Sequence, residues 1–344
     1  MFNASSLRAR YTQFFILFVL CSLLYVMAQS IGFGVMNFQD NFYKRYTLIQ
    51  QAALLRMKIG DKVFPVAVLG KDGWMEYTGE GSIDDFQNLR TLESKETIGK
   101  GLIILNQYLK SQGITLLIVV APNKSTIYPD KLSEEIKILP VPSRLDVLIS
   151  YLEDNDLPVL DIRPALRAAR QDQDVYYKTD THWNGYGALA AYTAILNALQ
   201  SSHPELKPYK ASDLDLVITG PDQREIPSMM NIITITELSI MFAPREAFVQ
   251  TQHPGDYHSY NQLSWILDSD LPTLLMFHDS FGANYLNDCL SMNFSKSHFI
   301  HLGSMSQYLT KESIQHFKPD VLIIEIVERN LHDLIIYFPS FMLE

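Results

Sequence analysis

Two short blocks of this sequence carry the residue types of acyl-transfer chemistry. His278-Asp279-Ser280-Phe281-Gly282 follows the apolar run 273–277. A strand there delivers a serine hydroxyl to the mouth of the next helix, where backbone N–H groups near residues 280–282 face a developing oxyanion. Serine needs a nearby base to attack a carbonyl at neutral pH. Thr179-Asp180-Thr181-His182-Trp183-Asn184, just ahead of a helix starting near Gly187, offers one. His182 suits the base and Asp180 the group that fixes its tautomer. Each block alone has a plainer reading, an N-cap for the serine and a loop with a satisfied histidine for the trio. Together, at the ends of two buried strands, they point to a Ser280–His182–Asp180 triad.

The elements that must hold these residues alternate along the chain. Apolar runs at 64–69, 115–120, 158–162, 273–277, 298–302 and 320–324 read as strands, and helical patterns cover about 93–111, 143–154 and 187–199. Runs apolar on both faces, separated by helices, indicate an α/β fold with a parallel sheet flanked by helices. The first run leads into Gly70-Lys71-Asp72-Gly73-Trp74, a tight turn whose glycines permit positive φ. Residues 205–262 hold prolines and scattered β-branched residues without a clear period, which reads as an irregular insertion over the sheet edge. Sites in such sheets lie at the carboxyl ends of the strands, where both blocks sit.

Composition excludes several alternatives. The 28 Lys+Arg against 38 Asp+Glu give a net charge of -10, which argues against a nucleic-acid partner, since that needs a basic face. Two cysteines, Cys21 and Cys289, rule out a disulfide framework or a cysteine-built zinc site. Metal chemistry would have to come from His and carboxylates alone. Residues 11–38 contain no charge and follow Arg8 and Arg10. That stretch is long enough to span a bilayer, with residues 1–10 left in the cytoplasm. A cleaved signal peptide ending near Ala28-Gln29-Ser30 is the rival reading. Residues 39–60 then form an amphipathic stalk and 61–344 the catalytic domain. Both readings export that domain, either tethered to the inner membrane or free in the periplasm.

The run from Tyr177 to Gly187, Tyr-Lys-Thr-Asp-Thr-His-Trp-Asn-Gly-Tyr-Gly, resembles the Asp-X-His-Trp block of the alginate O-acetyltransferase family, whose members have an SGNH-hydrolase-like fold. Residues 68–74, Ala121-Pro122-Asn123-Lys124, His278-Asp279-Ser280-Phe281 and Glu328-Arg329 are similar to the family's other blocks. Ordinary SGNH hydrolases carry the serine first. Reading this chain cyclically from Ser280, through Gly303 and on to Asp180 and His182, restores that order and implies a circular permutation. Two positions depart from the pattern. His278 stands where glycine is usual, and Asn330 is a rough stand-in for the missing Gly-X-Asn-Asp block.

The resemblance implies two-step transfer of an acetyl group through Ser280, without metal or organic cofactor, to a hydroxyl of an exopolysaccharide or cell-envelope glycan. A carbohydrate esterase with the same triad and a non-catalytic glycan-binding scaffold are the alternatives. Asn123, Lys124, Trp183 and Arg329 are the candidate substrate contacts. Asn123 and Lys124 equally fit a turn, Trp74 and Trp183 aromatic packing, and Arg329 an ion-paired brace with Glu325 or Glu328. Because the chain ends soon after the last strand, it is more similar to the family's membrane-anchored relay members. These are thought to take acetyl groups from a membrane-bound O-acyltransferase. The net negative charge is awkward for a polyanionic acceptor, so a neutral glycan is as open as alginate.

Overall fold

The structure is a computed structural model that describes residues 16–25, 27–28, 44–134, 136–245, 248–253, 261–267 and 269–342. The chain divides into two compact units, residues 1–62 with 229–232, and residues 63–228 with 233–344. In the first, residues 16–25 and 27–28 are helical, as is Arg45–Lys58 within the expected stalk. The remainder of the 11–38 stretch lies outside the described residues. Among the described residues, no helix is long and apolar enough to cross a membrane.

The second unit is built on a sheet. Its strands in chain order are β3 (Thr115–Ala121), β4 (Val159–Asp161), β7 (Val249–Gln252), β8 (Gln262–Ile266), β9 (Thr273–His278), β10 (Lys296–His301) and β11 (Val321–Val327). Their spatial order is β4-β3-β11-β9-β10-β8-β7. The first five are parallel, whereas β8 and β7 add antiparallel at one edge. The short strands β1 (Ala67–Leu69) and β2 (Met75–Tyr77) pair separately, across a turn where Gly73 takes φ 82°. The left-handed region explains that glycine but not Gly70, whose hypothetical Cβ would lie 2.2 Å from the Lys131 carbonyl oxygen.

Strand residues alternate between two apolar cores, as the two-residue period of a strand requires. Leu117, Val119 and Ala121 of β3 enter one core, and Leu116, Ile118 and Val120 the other. Strand β9 does the same, with Leu274 and Met276 on one side and Leu275 and Phe277 on the other. Each such leucine or isoleucine contributes about 1.5–3 kcal/mol by leaving water. The first core is completed by helix α3 (Gly185–Leu199), and the second by α1 (Lys95–Ser111) and α2 (Arg144–Asp154). A capping box at Ser143 and Asp146 starts α2. These strands and helices fall within a few residues of the sequence expectations.

The stretch 205–262 is more regular than expected. Within it β5 (Leu214–Gln223) and β6 (Thr236–Pro244) form a long antiparallel ribbon, and β7 and the start of β8 extend the main sheet. Most of β5 is exposed, and its register shifts between Thr219 and Asp222. With little of it buried and a register break inside, the two-residue period does not show in the sequence.

Candidate active site

Strand β9, the middle strand of the seven, ends at His278, and Asp279 and Ser280 follow at its carboxyl edge. The chain then turns into a helix interrupted by a π-type turn over Gly282–Leu286, with Tyr285 at φ 70°. Such turns commonly mark functional sites. Gly282 is required by close approach, since a Cβ there would meet the His278 Cβ at 2.5 Å. His278 itself is fully buried, with Nδ1 2.7 Å from the Asp279 carbonyl and Nε2 3.2 Å from Asn287 Nδ2.

Beneath Ser280 lies an acid pair. Glu325 of β11 falls on a face otherwise formed by Val321, Ile323 and Val327, and is fully buried. Its Oε2 accepts from the amides of Asp279 (3.1 Å) and Gly282 (3.2 Å). Asp279 accepts from the amides of Phe281 (2.8 Å) and Val327 (2.7 Å). Burial raises the pKa of Asp279; burial and then the Asp279 charge push Glu325 well above its ordinary value, favouring its neutral form. This arrangement pins the serine turn. It also corrects the expected oxyanion donors, because the Phe281 and Gly282 amides are already engaged. Of the three amides, only that of Ser280 has no side-chain acceptor among the described residues.

The segment 177–184 meets Ser280 from the other side. His182 Nε2 lies 2.9 Å from Ser280 Oγ, and His182 Nδ1 lies 2.8 Å from Asp180 Oδ1. Asp180 Oδ1 also accepts from the His182 amide at 3.1 Å. Burial opposes ionisation of Asp180, but hydrogen bonds from His182 and the charges of His182 and Lys124 outweigh it and hold the carboxyl well below its usual range. The His182 ring packs on Phe281 at 4.9 Å.

Several groups fix this segment. Asn184 caps α3, accepting from the amides of Tyr186 and Gly187 at 2.9 and 3.2 Å. Glu237 of β6 accepts from the amides of Lys178 and Thr179 and from the Thr179 hydroxyl. Lys124 donates to the carbonyls of Tyr177 (3.3 Å), Lys178 (3.1 Å) and Asp180 (2.6 Å).

The four expected substrate contacts fare differently. Lys124 is buried with its ammonium directed at those three carbonyls, so it braces the base-bearing loop instead of facing solvent. Trp183 is fully buried, packs edge-on against Phe281 at 5.0 Å, and donates Nε1 to the Asn284 carbonyl at 2.9 Å. No face of it is left to stack on a sugar. Asn123 is buried; its amide donates to Glu328 Oε2 at 2.8 Å, and its Nδ2 has no partner among the described residues. Arg329 pairs with Glu80 at 2.7 Å, not with Glu325 or Glu328, and its guanidinium lies 5.6 Å from the Phe281 ring. Glu328 serves Asn123 and the Thr126 hydroxyl instead.

Glu225, just beyond the β5–β6 ribbon's first strand, was invisible to sequence reasoning. Its Oε2 lies 3.5 Å from His182 Nδ1 and accepts from the Thr181 hydroxyl at 2.5 Å. Asp180, His182 and Glu225 offer ligand atoms within 4.8 Å of one another. The 2.8 Å between Nδ1 and Oδ1 is a hydrogen-bond separation; two ligands of one tetrahedral zinc stand about 3.3 Å apart. The cluster is spaced for a proton.

Comparisons with known proteins bear on the fold and the family. Residues 67–328 match the family profile described as the SGNH hydrolase-like domain of acetyltransferase AlgX. The chain is 24% identical over 284 residues to the probable alginate O-acetylase AlgJ of Pseudomonas aeruginosa, covering 78% of this chain and 71% of that protein. The AlgJ of Pseudomonas syringae pv. tomato is 24% identical over 293 residues, covering 81% and 72%. Among solved structures, Bacillus cereus PatB1 with a sulfonyl adduct superposes with a TM-score of 0.56 at 16% identity, covering 79% of this chain and 99% of that one. The O-acetyltransferase domain of Pseudomonas putida AlgJ gives 0.51 at 16% identity, covering 78% and 93%. These two likenesses establish the fold. With a profile match across most of its length, the chain belongs to the family of the SGNH hydrolase-like acetyltransferase domain of AlgX.

Proposed function

We propose that this chain is a polysaccharide O-acetyltransferase that works through an acetyl-Ser280 intermediate. The reading rests above all on the continuous hydrogen-bonded chain Ser280–His182–Asp180, at 2.9 and 2.8 Å. Ser280 Oγ attacks the acetyl carbonyl of the donor while its proton passes to His182 Nε2. The imidazolium is held in orientation by Asp180 through Nδ1. The donor's leaving group departs with that proton, leaving acetyl on Ser280. A glycan hydroxyl then gives its proton to Nε2, its oxygen bonds to the acetyl carbon, and Ser280 Oγ regains a proton. Of the amides of residues 280–282, that of Ser280 alone has no side-chain acceptor among the described residues, and it meets the oxyanion, a contact typically worth about 10²–10³ in rate. Arg329, beside Phe281, borders the acceptor.

The curated relatives are named for alginate, and we extend to this chain only a glycan acceptor. Residues 11–38 serve as a membrane anchor or export signal, supported by their lack of charge and by Arg8 and Arg10 ahead of them. The catalytic unit then works in the periplasm, receiving acetyl from a membrane-bound O-acyltransferase.

The test uses the purified chain and an activated aryl acetate, with and without neutral and uronate oligosaccharides. The expected result is a Ser280 adduct roughly 42 Da heavier, absent from Ser280→Ala, with acetyl delivered to sugar. Acetyl released only to water, with every acceptor tried, would make the protein an esterase. No adduct would overturn the acyl-enzyme reading.

A further inference from the structure

The imidazole of His182 faces two carboxylates, where an ordinary triad supplies one. Asp180 Oδ1 stands 2.8 Å from Nδ1 and Glu225 Oε2 stands 3.5 Å from the same atom. The two acids are joined, because the Glu225 amide lies 3.4 Å from Asp180 Oδ2. The Thr181 hydroxyl completes the group, donating to Glu225 Oε2 at 2.5 Å and lying 3.2 Å from His182 Nδ1. Glu225 thus has its backbone on one acid, its carboxylate held by a hydroxyl, and that carboxylate turned to the base. The two acids differ in exposure: the Asp180 side chain is 13% accessible and that of Glu225 35%.

We propose that Glu225 is a second carboxylate partner of His182, a positioning residue that shares the Nδ1 proton with Asp180 and stabilises the imidazolium formed at each transfer step. The inference rests on the acyl-enzyme reading. Its physical basis is distance. At 3.5 Å a full negative charge favours the imidazolium even through a partly solvated gap, and a small rotation of the ring brings Nδ1 within hydrogen-bond range of either acid. Glu225 reaches the base from the ribbon side of the unit while Asp180 reaches it from the base's own loop, so the base is braced independently from two elements. Other charged or titratable groups whose fields act here are Asp279 on His182, Lys124 on Asp180 and Glu225, and Tyr77 on Glu225, with Arg329 over Phe281.

The experiment measures acetyl-enzyme formation by the full chain with 4-nitrophenyl acetate, from pH 5 to 9, in the wild type, Glu225→Gln, Asp180→Ala and the double variant. Glutamine keeps an oxygen for the Thr181 hydroxyl and removes only the charge. Glu225→Gln is expected to slow acetylation about three- to tenfold with KM for the ester unchanged. The acid limb of its profile moves to lower pH, because the imidazolium loses a stabilising neighbour and gives up its proton more readily. Asp180→Ala is expected to lose far less than the factor of about 10⁴ seen when a sole triad carboxylate is neutralised. The double variant then falls by more than the product of the two single losses. Glu225→Asp, which keeps the charge one methylene further off, retains the acid limb at an intermediate rate, and it stands in if Glu225→Gln does not fold. Losses that merely multiply, or a Glu225→Gln enzyme with wild-type rate and profile, overturn the proposal. A wild type that forms no acetyl-Ser280 overturns the acyl-enzyme reading itself, so the two failures are distinguishable.

Discussion

Replacing Lys124 with methionine separates its bracing role from a role in holding substrate. The side chain is 2% exposed, its ammonium sits 3.3, 3.1 and 2.6 Å from the carbonyls of Tyr177, Lys178 and Asp180, and it lies 5.8 Å from the Trp74 ring. Methionine fills nearly the same volume, so the cavity contribution is small. What disappears is a buried cation with three carbonyl acceptors, beside the charges of Glu76 and Asp180. Removing one partner from such a buried charged group typically costs about 3–5 kcal/mol. For a unit of this size each kcal/mol lowers Tm by about 2–4 °C, so a fall of roughly 6–20 °C is expected. Activity falls as well. The Asp180 carbonyl loses its shortest tether two residues before His182, and a displacement of about 1 Å at the base is worth on the order of 10² in rate.

The assay pairs thermal unfolding followed by circular dichroism with the rate of acetyl-enzyme formation. Lys124→Arg is the control that retains charge but not fit. A methionine variant with wild-type Tm and wild-type acetylation rate, but a raised KM for the glycan acceptor, would refute the bracing argument and return Lys124 to the substrate.

Two further outcomes are expected. Asp180 has its folded-state pKa held below the ordinary carboxylate range, so its contribution to stability is complete above about pH 4 and drains away as pH falls through the folded value. The stability difference between wild type and Asp180→Asn, followed by urea unfolding, should therefore shrink on acidification below about pH 4; a difference constant from pH 7 to pH 3 contradicts this. Trp183→Phe removes the Nε1 bond to the Asn284 carbonyl and part of a buried indole. It should lower stability by about 1–3 kcal/mol in denaturant titration while KM for the acceptor stays unchanged. A raised KM at unchanged stability would instead mean a sugar-stacking role.

The parts legible in advance share a physical cause. Strands β3, β9 and β11 are apolar on both faces because helices cover both, and that pattern is written in consecutive residues. Ser280 was legible because it follows such a strand within two positions, and Asp180 and His182 because they stand just ahead of a helix. The ribbon β5–β6 was not, since β5 is mostly exposed, β6 is mostly half-buried without alternation, and their register shifts at Thr219/Asp222. The roles of Lys124 and Trp183 stay open in the sequence for a related reason: residue type states what a side chain can do, whereas burial decides what it meets. An ammonium and an indole next to a catalytic loop serve a sugar or the loop equally well on paper.

By itself, then, the order of residues determined the α/β class, the strand end that carries Ser280, and the helix start that Asp180 and His182 precede, because all of these depend on local periodicity and short spacing. Only the tertiary structure decided which groups complete the site. Glu225 lies 43 residues beyond His182 and Glu325 lies 45 beyond Ser280, yet one stands beside the base and the other beneath the nucleophile. Their places follow from how ribbon and sheet fold back on one another, and hydrogen bonds between distant segments have no period along the chain to announce them.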